Sequence, residues 1–321
     1  MSDAIFYSTS EKNGFDNLHV DVPSIFEQYP VGRMAGSREP GSRDFFAKLY
    51  ANQLLPLGLR IKLWRAAFNT HQDLTWFEDL SEYWVNILKG RPLWGPQDAY
   101  FLKNMYRIRF QRNMLPDTED PDVHLDAWQR PEVLYSLLHL ASKPSLPADV
   151  RVMQRAMRHV GRNHGLNILE FGCSTAPFVY GAIRFLGTSR NTYHLADIAM
   201  LPFHYGVWRL RSRSDIVPHL LLPENEFMPD FFDPMDLILC SQVFEHLNKP
   251  LEIARYFHQT LRPGGVLVFD FLLTEGTGLD SKQAVEQHSQ ILDFIRANFD
   301  ILEGSQLRPG ESVDLCFARR R

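Results

Sequence analysis

Cysteine is scarce in this sequence, and long apolar runs are missing. The three cysteines of the 321-residue chain, Cys173, Cys240 and Cys316, lie far apart and form no CxxC pair. Such a set argues against a disulfide framework or a zinc site and is typical of a reducing compartment. No apolar run reaches the roughly 18 residues that a membrane span needs, and the start, MSDAIFYSTSEKNG, lacks the features of a signal peptide. We therefore expect a cytoplasmic protein without a membrane segment.

A strong excess of either charge is also missing. The net charge of −4 gives no reason to expect a polyanionic partner. Arginines cluster at Arg107–Arg112, Arg209–Arg213 and Arg319–Arg321, and such runs are usually solvated surface. They leave an acidic or phosphorylated substrate open, but we expect no nucleic-acid partner. The histidines form no HxH or HExxH pattern, so we predict no metal site.

The composition of the sequence and its pattern of apolar residues change near residue 160. Five of the six tryptophans precede this point, and helical patterns dominate there; the candidate helices are Arg43–Leu55, Leu74–Leu88, Pro96–Arg112 and Pro131–Ala141. After it, short apolar runs alternate with amphipathic stretches, the pattern of βαβ units and a parallel sheet. We predict a mainly helical, substrate-binding or lid region over residues 1–147 and an α/β domain over residues 148–321.

Seven strands are predicted in the second half. They are Asn167–Glu170, Thr192–Asp197, Val217–Leu222, Met235–Cys240, Val266–Phe271, Phe299–Gly304 and Ser312–Arg319. Helices fill the gaps, most clearly at Leu251–Leu261 and Ser281–Asn298. The last two strands are joined by QLRPGE, which is too short for a crossover helix, so they must be antiparallel. The sheet should therefore be mostly parallel with one reversed strand.

A run of small residues follows the first predicted strand, in NILEFGCSTAPFVYG. In an open α/β sheet, ligands lie beyond the carboxyl ends of the strands, and a glycine there lets a ligand approach the backbone. A dinucleotide-binding turn would have GxGxxG, whereas this turn has ExGxSxA. Taken alone, the motif is also compatible with an ordinary strand–helix turn.

Three further segments lie near the ends of the predicted strands. The second strand ends at Asp197, whose carboxylate could accept both hydroxyls of a ribose or cap a helix. The fourth strand runs into the sequence MDLILCSQVFEHLNKP, and LRPGG at Leu261–Gly265 turns into the fifth strand.

Together, these segments resemble the class I S-adenosylmethionine-dependent methyltransferases. Glu170–Ala176 is similar to their motif I, with Ser174 and Ala176 in place of two glycines. The fourth strand is similar to motif IV, the EHL sequence after it is widespread in this family, and LxPGG is common there too. The resemblance covers residues 148–321, including the terminal antiparallel pair. It implies a seven-stranded Rossmann-like methyltransferase sheet and S-adenosylmethionine as the cofactor.

The resemblance also implies where the cofactor is held. The methionyl end of the cofactor would lie against the turn after the first strand, and its ribose would lie at the end of the second strand. Its adenine would lie near the loop after the third strand, and the end of the fourth strand would form the floor of the binding site. In that order, the implied cofactor-binding residues are Glu170, Gly172, Cys173 and Ser174, then Asp197 and Ile198, then Glu224 and Asn225, then Ser241.

A catalytic base is needed only if the methyl acceptor must lose a proton. His246 is the candidate, because a neutral imidazole can take a hydroxyl proton; the alternative is that His246 braces its loop. We expect a small-molecule acceptor, methylated on oxygen ahead of nitrogen or carbon, since the chain has CSQV where amino-methylating enzymes have (D/N)PP(Y/F).

Two other functions stay open at this point. One is an inactive methyltransferase-like binding or assembly module, and the other is a methyltransferase with a protein acceptor. The aromatic side chains of the first half would line an acceptor pocket, form the core of a helical domain, or form a homodimer interface.

Overall fold

The computed structural model describes most of the chain from residue 54 onward. Of the predicted features, Glu224, Asn225 and all but the last two residues of the helix at Arg43–Leu55 lie outside the described residues. The described residues are 54–69, 75–88, 90, 92–93, 95–113, 128, 131–142, 146–187, 190–222, 227–231, 233–273, 280–304 and 307–321.

A seven-stranded sheet with the order β3-β2-β1-β4-β5-β7-β6 forms the centre of the fold. Its strands are β1 (Asn167–Phe171), β2 (Thr192–Asp197), β3 (Ile216–Leu220), β4 (Met235–Cys240), β5 (Leu261–Phe271), β6 (Phe299–Glu303) and β7 (Val313–Arg320). β1 to β5 are parallel, and β7 is antiparallel to both of its neighbours. The prediction of a mostly parallel sheet with one reversed strand is confirmed.

Strand β5 begins earlier than the sequence predicts. The sequence predicts a turn at Leu261–Gly265 before the strand, but Leu261 already pairs with Met235 of β4, and the register shifts before Val266 pairs with Leu237. Five steps along β5 thus face two steps along β4, so the irregularity accommodates three extra residues in β5, and the glycines and proline of LRPGG lie within the strand.

Helices cover both faces of the sheet. In the described part of the chain they are α1 (Leu57–Asn69), α2 (Thr75–Asn86), α3 (Pro96–Asn113), α4 (Leu134–Ala141), α5 (Leu146–Val160), α6 (Pro177–Phe185), α7 (Leu201–Arg209), α8 (Pro250–Thr260) and α9 (Lys282–Asn298), with 3₁₀ turns at Pro131–Val133 and Phe244–His246. Helix α9 is capped by Ser281, whose Oγ accepts the N–H of Ala284 at 3.0 Å; a cap of this kind satisfies one of the unpaired donors of a helix start.

Two apolar cores lie on opposite faces of the sheet. One joins the sheet to α8 and α9 through residues such as Phe257 and Leu292. The other joins it to α5, α6 and α7 through residues such as Met153 and Phe203. β4 is buried along its whole length, which explains its unbroken apolar sequence, because a central parallel strand is covered on both faces.

The N-terminal helices pack on α7 through a third apolar cluster. Tyr83 and Trp84 of α2 are fully buried in it beside Tyr205 and Trp208 of α7. The Tyr83 hydroxyl also lies 2.7 Å from Nδ1 of His204. These contacts place helical residues of the first half directly on the α/β core; the division at residue 147 stays a prediction.

The edge strand β3 contains a proline. Pro218 pairs in register with Leu195 of β2. Leu221 donates its N–H to the carbonyl of Asp197 in β2 at 2.8 Å. Because the backbone N–H groups of successive residues in a strand point to alternate sides, the backbone of position 218 faces away from β2.

Within the described residues, no helix has the length and apolar character of a membrane span.

Candidate cofactor and active site

The turn after β1 requires glycine at position 172. Gly172 has a φ of +63°, which L side chains adopt at a steric cost. A Cβ at this position would lie 2.3 Å from Cγ2 of Val243, in the segment after β4. The Gly172 N–H is held by the carbonyl of Ala196 in β2 at 2.8 Å. The loops after β1 and β4 are thus in direct contact.

Ser174 and Ala176 adopt the left-handed backbone conformation that glycine takes at no steric cost. Their φ values are +48° and +52°, in the left-handed region, which costs a non-glycine residue about 1–2 kcal/mol. Such strain persists only where the surrounding contacts determine the conformation. The contacts around the turn therefore hold two non-glycine residues in a conformation that favours glycine.

Glu170 holds the turn to the start of α6. Its carboxylate accepts the N–H of Phe178 at 3.3 Å and of Val179 at 2.9 Å, and the side chain is 2% exposed. Burial raises the pKa of Glu170 to about 8, against the opposing effect of the two backbone hydrogen bonds. The structure places Glu170 at the end of β1 with its carboxylate directed to the amides of α6; its contact with a cofactor stays a prediction.

Asp197 joins the end of β2 to the same loop. One carboxylate oxygen accepts the N–H of Ser174 at 2.6 Å, and the other accepts the N–H of Ile198 at 2.8 Å. Burial raises the pKa of Asp197 to about 7, although both backbone hydrogen bonds lower it. A carboxylate offers about four lone-pair sites, so two bonds leave capacity for hydroxyl donors.

Two predicted cofactor residues contribute differently. Ile198 is partly exposed and packs against both apolar cores, which suits contact with a flat apolar ligand surface. The Cys173 side chain is buried in the core, and burial raises the pKa of its thiol well above the usual range. Cys173 can therefore offer a cofactor its backbone, while its thiol stays protonated in the core.

An aspartate that the sequence analysis missed organises the end of β4. Asp270, near the end of β5, accepts the Ser241 hydroxyl at 2.6 Å and the N–H of Gln242 at 2.5 Å. It is 6% exposed, and burial raises its pKa. The sequence signal for this residue is an acid near the end of the otherwise apolar run VLVFDF.

The candidate base lies in the 3₁₀ turn after β4. His246 is partly exposed, and its Nε2 lies 4.0 Å from Oε1 of Glu245. Burial and repulsion from Asp270 and Asp280 raise the pKa of Glu245 to about 8. The ring of Trp128, from the first half of the chain, lies 5.6 Å from the His246 ring, centroid to centroid.

The structure therefore brings most of the predicted residues to one edge of the sheet. Asp197 accepts the Ser174 N–H, Glu170 accepts the N–H of Phe178 after the same turn, and Gly172 lies against the segment that leads to His246. Carboxylate acceptors, close backbone and the apolar Ile198 fit the hydroxyls, polar tail and flat base of S-adenosylmethionine. Across the described residues, no group of three or more His, Cys, Asp or Glu side chains is arranged to hold a metal ion.

Comparison with known proteins gives one family. A family model described as a methyltransferase domain matches residues 129–296, just over half of the chain. The chain is similar to the N-methyltransferase NodS from Bradyrhizobium japonicum WM9 in complex with S-adenosyl-L-homocysteine, with 16% identity, a TM-score of 0.40, and coverage of 68% of this chain and 98% of that one.

The chain is also similar to the solved structure of an O-methyltransferase family protein from Burkholderia thailandensis. It has 10% identity and a TM-score of 0.43, and the match covers 70% of each chain. Comparison with curated proteins gives no match.

Proposed function

Because the chain belongs to the methyltransferase domain family and is an S-adenosylmethionine-dependent methyltransferase of class I, we propose that it methylates a small-molecule acceptor on oxygen. S-adenosylmethionine is the cofactor. The left-handed conformation of Ser174 and Ala176, which persists despite its steric cost, supports a working cofactor site over an inactive binding module.

In this proposal, the turn after β1 and the end of β2 hold the cofactor. The backbone of Gly172, Cys173 and Ser174 lies against its amino-acid end, Asp197 accepts its ribose hydroxyls, and Ile198 covers its base. Ser241, fixed by Asp270, closes the floor. Glu224 and Asn225 at the adenine remain part of the proposal on the sequence resemblance alone.

The bound cofactor supplies an electrophilic methyl group with a good leaving group. The protein's own task is then to align the acceptor in line with that group and to exclude water. His246 takes the proton from the acceptor hydroxyl as the new bond forms. Oε1 of the buried Glu245 lies 4.0 Å from Nε2 of the imidazole, beyond hydrogen-bond distance.

The observation that carries the acceptor site is the contact between Trp128 and His246. Trp128 also lies 6.4 Å from the ring of Phe110, which in turn lies 5.0 Å from Tyr135. An apolar, aromatic wall from the first half of the chain therefore reaches the candidate base. Pockets with such walls and a few polar groups suit small organic ligands.

Replacing His246 with asparagine tests the proposed base. We expect His246→Asn to lower kcat by roughly 10²–10⁴-fold and to leave cofactor affinity nearly unchanged, with candidate hydroxyl acceptors as substrates. His164→Asn is the matched control, since His164 is exposed beside Asn163. A His246→Asn enzyme with near-normal kcat would show that alignment alone suffices and that His246 braces its loop.

Two further expectations, on the location of the protein and on its oligomeric state, belong to the same proposal. A cytoplasmic location is supported by the three free cysteines, all of them buried. A homodimer through the N-terminal region is supported by Phe101 and Ile108, which are exposed on α3. Analytical ultracentrifugation of the full chain and of a Phe101→Ser, Ile108→Ser variant tests the dimer.

A further inference from the structure

We propose that Arg209 is a positioning residue for the cofactor, because it fixes the backbone of the loop after β1. Two residues of this loop, Ser174 and Ala176, have a conformation that glycine would adopt at no steric cost. This inference rests on the proposed cofactor site after β1. Arg209 lies at the end of α7.

The guanidinium of Arg209 reaches the centre of the loop. Its NH2 group donates a hydrogen bond to the carbonyl of Thr175 and lies 3.5 Å from the carbonyl of Ala176. The guanidinium carbon lies 3.8 Å from the centroid of the Tyr180 ring in α6. A planar cation that stacks on an aromatic ring keeps its donors in a fixed direction.

The backbone of α7 closes on the same loop. A Cβ at Gly206 would lie 2.8 Å from the carbonyl oxygen of Ser174 and 2.9 Å from the carbonyl carbon of Thr175. Thr175 itself is 2% exposed. Helix α7 thus touches the loop through its backbone at Gly206 and through the Arg209 side chain, one turn apart.

The loop needs such a restraint because two of its residues are strained. Ser174 and Ala176 flank Thr175, and both have positive φ. The Ser174 N–H is held by Asp197 on one side, and Arg209 holds the two following carbonyls on the other. Without the guanidinium, the loop is free to relax, and the affinity for the cofactor falls with the fraction of molecules that keep the binding conformation.

Arg209 also links the N-terminal helices to the loop. Asp79 of α2 attracts the Arg209 guanidinium and accepts the Tyr180 hydroxyl at 3.5 Å. The hydroxyl of Tyr180 accepts a hydrogen bond from Arg184 at 2.8 Å. The stack of Arg209 on Tyr180 is therefore held in place from the first half of the chain.

The test compares Arg209→Met with Arg211→Met in the full-length protein. Arg211 lies on the same chain segment but stacks over Trp208 and pairs with Glu82, so it controls for the loss of an arginine. By calorimetry with S-adenosylhomocysteine, we expect about tenfold or more weaker binding in Arg209→Met, because hydrogen bonds from a charged donor are lost. Arg211→Met should bind within about twofold of wild type.

A rescue experiment separates positioning from general stability. Ala176→Gly removes one strained position, so it should restore much of the affinity of Arg209→Met while changing the wild-type affinity less. Equal effects of Ala176→Gly in both backgrounds, or wild-type affinity in folded Arg209→Met, would overturn the proposal. If Arg209→Met does not fold, Arg209→Lys, which keeps the charge without the planar stack, should show a smaller loss with the same rescue, and wild-type affinity there would overturn it too.

Hydrogen exchange without ligand makes the test independent of the proposed site. The loop amides, among them that of Ala176, which donates to the Cys173 carbonyl at 2.6 Å, should exchange faster in Arg209→Met than in Arg211→Met. Equal exchange in the two variants contradicts the proposal even if no cofactor binds. Weakened binding in Asp197→Ala, measured in parallel, shows separately whether the cofactor site is assigned correctly.

Discussion

Asp197 should make cofactor affinity depend on pH near neutrality. Burial raises the pKa of its carboxyl to about 7, so a fraction is protonated at pH 6 to 7. Ribose hydroxyls donate to the ionised form, and a bound cofactor therefore stabilises the carboxylate. Affinity should rise as the pH increases through 7, and binding below pH 7 should release a proton.

The size of this effect follows from the ionised fraction. With a pKa of about 7, the ionised fraction falls about tenfold between pH 8 and pH 6, and the apparent affinity falls with it. Asp197→Ala removes the hydroxyl acceptor and should cost at least about tenfold in affinity at pH 8, because charge-assisted hydrogen bonds contribute about 1.5–3 kcal/mol each. It also leaves the N–H groups of Ser174 and Ile198 without their acceptor, which should lower stability by about 2 kcal/mol or more.

The stability of the ligand-free protein should change in the opposite direction. A carboxyl whose pKa is raised in the folded state stabilises the fold most below its unfolded pKa, about 4, and this contribution is lost as the pH rises through 7. Thermal unfolding should therefore show a stability that falls between pH 6 and 8 without ligand and, at saturating ligand, no slope from this residue, because its carboxyl is then ionised in both the folded and the unfolded state.

Calorimetry with S-adenosylhomocysteine in two buffers of different ionisation enthalpy measures both affinity and proton release. Asp197→Asn is the comparison, since it keeps the shape and cannot ionise; it should bind weakly and with a flat pH profile between 6 and 8. If Asp197→Asn keeps the wild-type pH slope, the titrating group is another one. If folded Asp197→Ala binds as the wild type does, Asp197 is not part of the cofactor site.

Three further substitutions test the frame around the site. Gly172→Ala should lower the free energy of unfolding by more than about 2 kcal/mol and weaken cofactor binding, because the new methyl group would clash with Val243 and because position 172 has a positive φ. Wild-type stability in urea unfolding would refute this steric argument. Tyr83→Phe should lower stability by about 1 kcal/mol through loss of the hydrogen bond to His204, seen as a lower Tm, and an unchanged Tm would mean that the contact contributes nothing. Ser281→Ala should cost about 1 kcal/mol as a lost helix cap, whereas Ser281→Thr should keep the cap and serve as its control.

The sheet could be predicted from the sequence because its signals are local. Buried parallel strands have continuous apolar runs, such as MDLILC at β4. The reversal of β7 followed from the short QLRPGE connection, and the pairing with β6 confirms it. The family resemblance is likewise confirmed.

The details of the site were less predictable, since they depend on contacts between distant segments. Asp270 follows Ser241 by 29 residues, and only the pairing of β4 with β5 brings the two side chains together. Arg209 belongs to an arginine cluster of a kind that is usually solvated surface, yet folding directs its guanidinium to Thr175. Spacing along the chain carries no information about such contacts.

The proline in β3 has a consequence for the protein in concentrated solution. The free edge of a sheet presents backbone donors and acceptors that can recruit a strand from another molecule. At position 218, which faces this edge, proline has no N–H to offer. An incoming strand would lose a hydrogen bond at this position and meet the pyrrolidine ring instead. Edge-to-edge pairing of sheets from different molecules is therefore opposed at the centre of β3. Pro218→Val should accordingly raise the tendency of this chain to form fibrils.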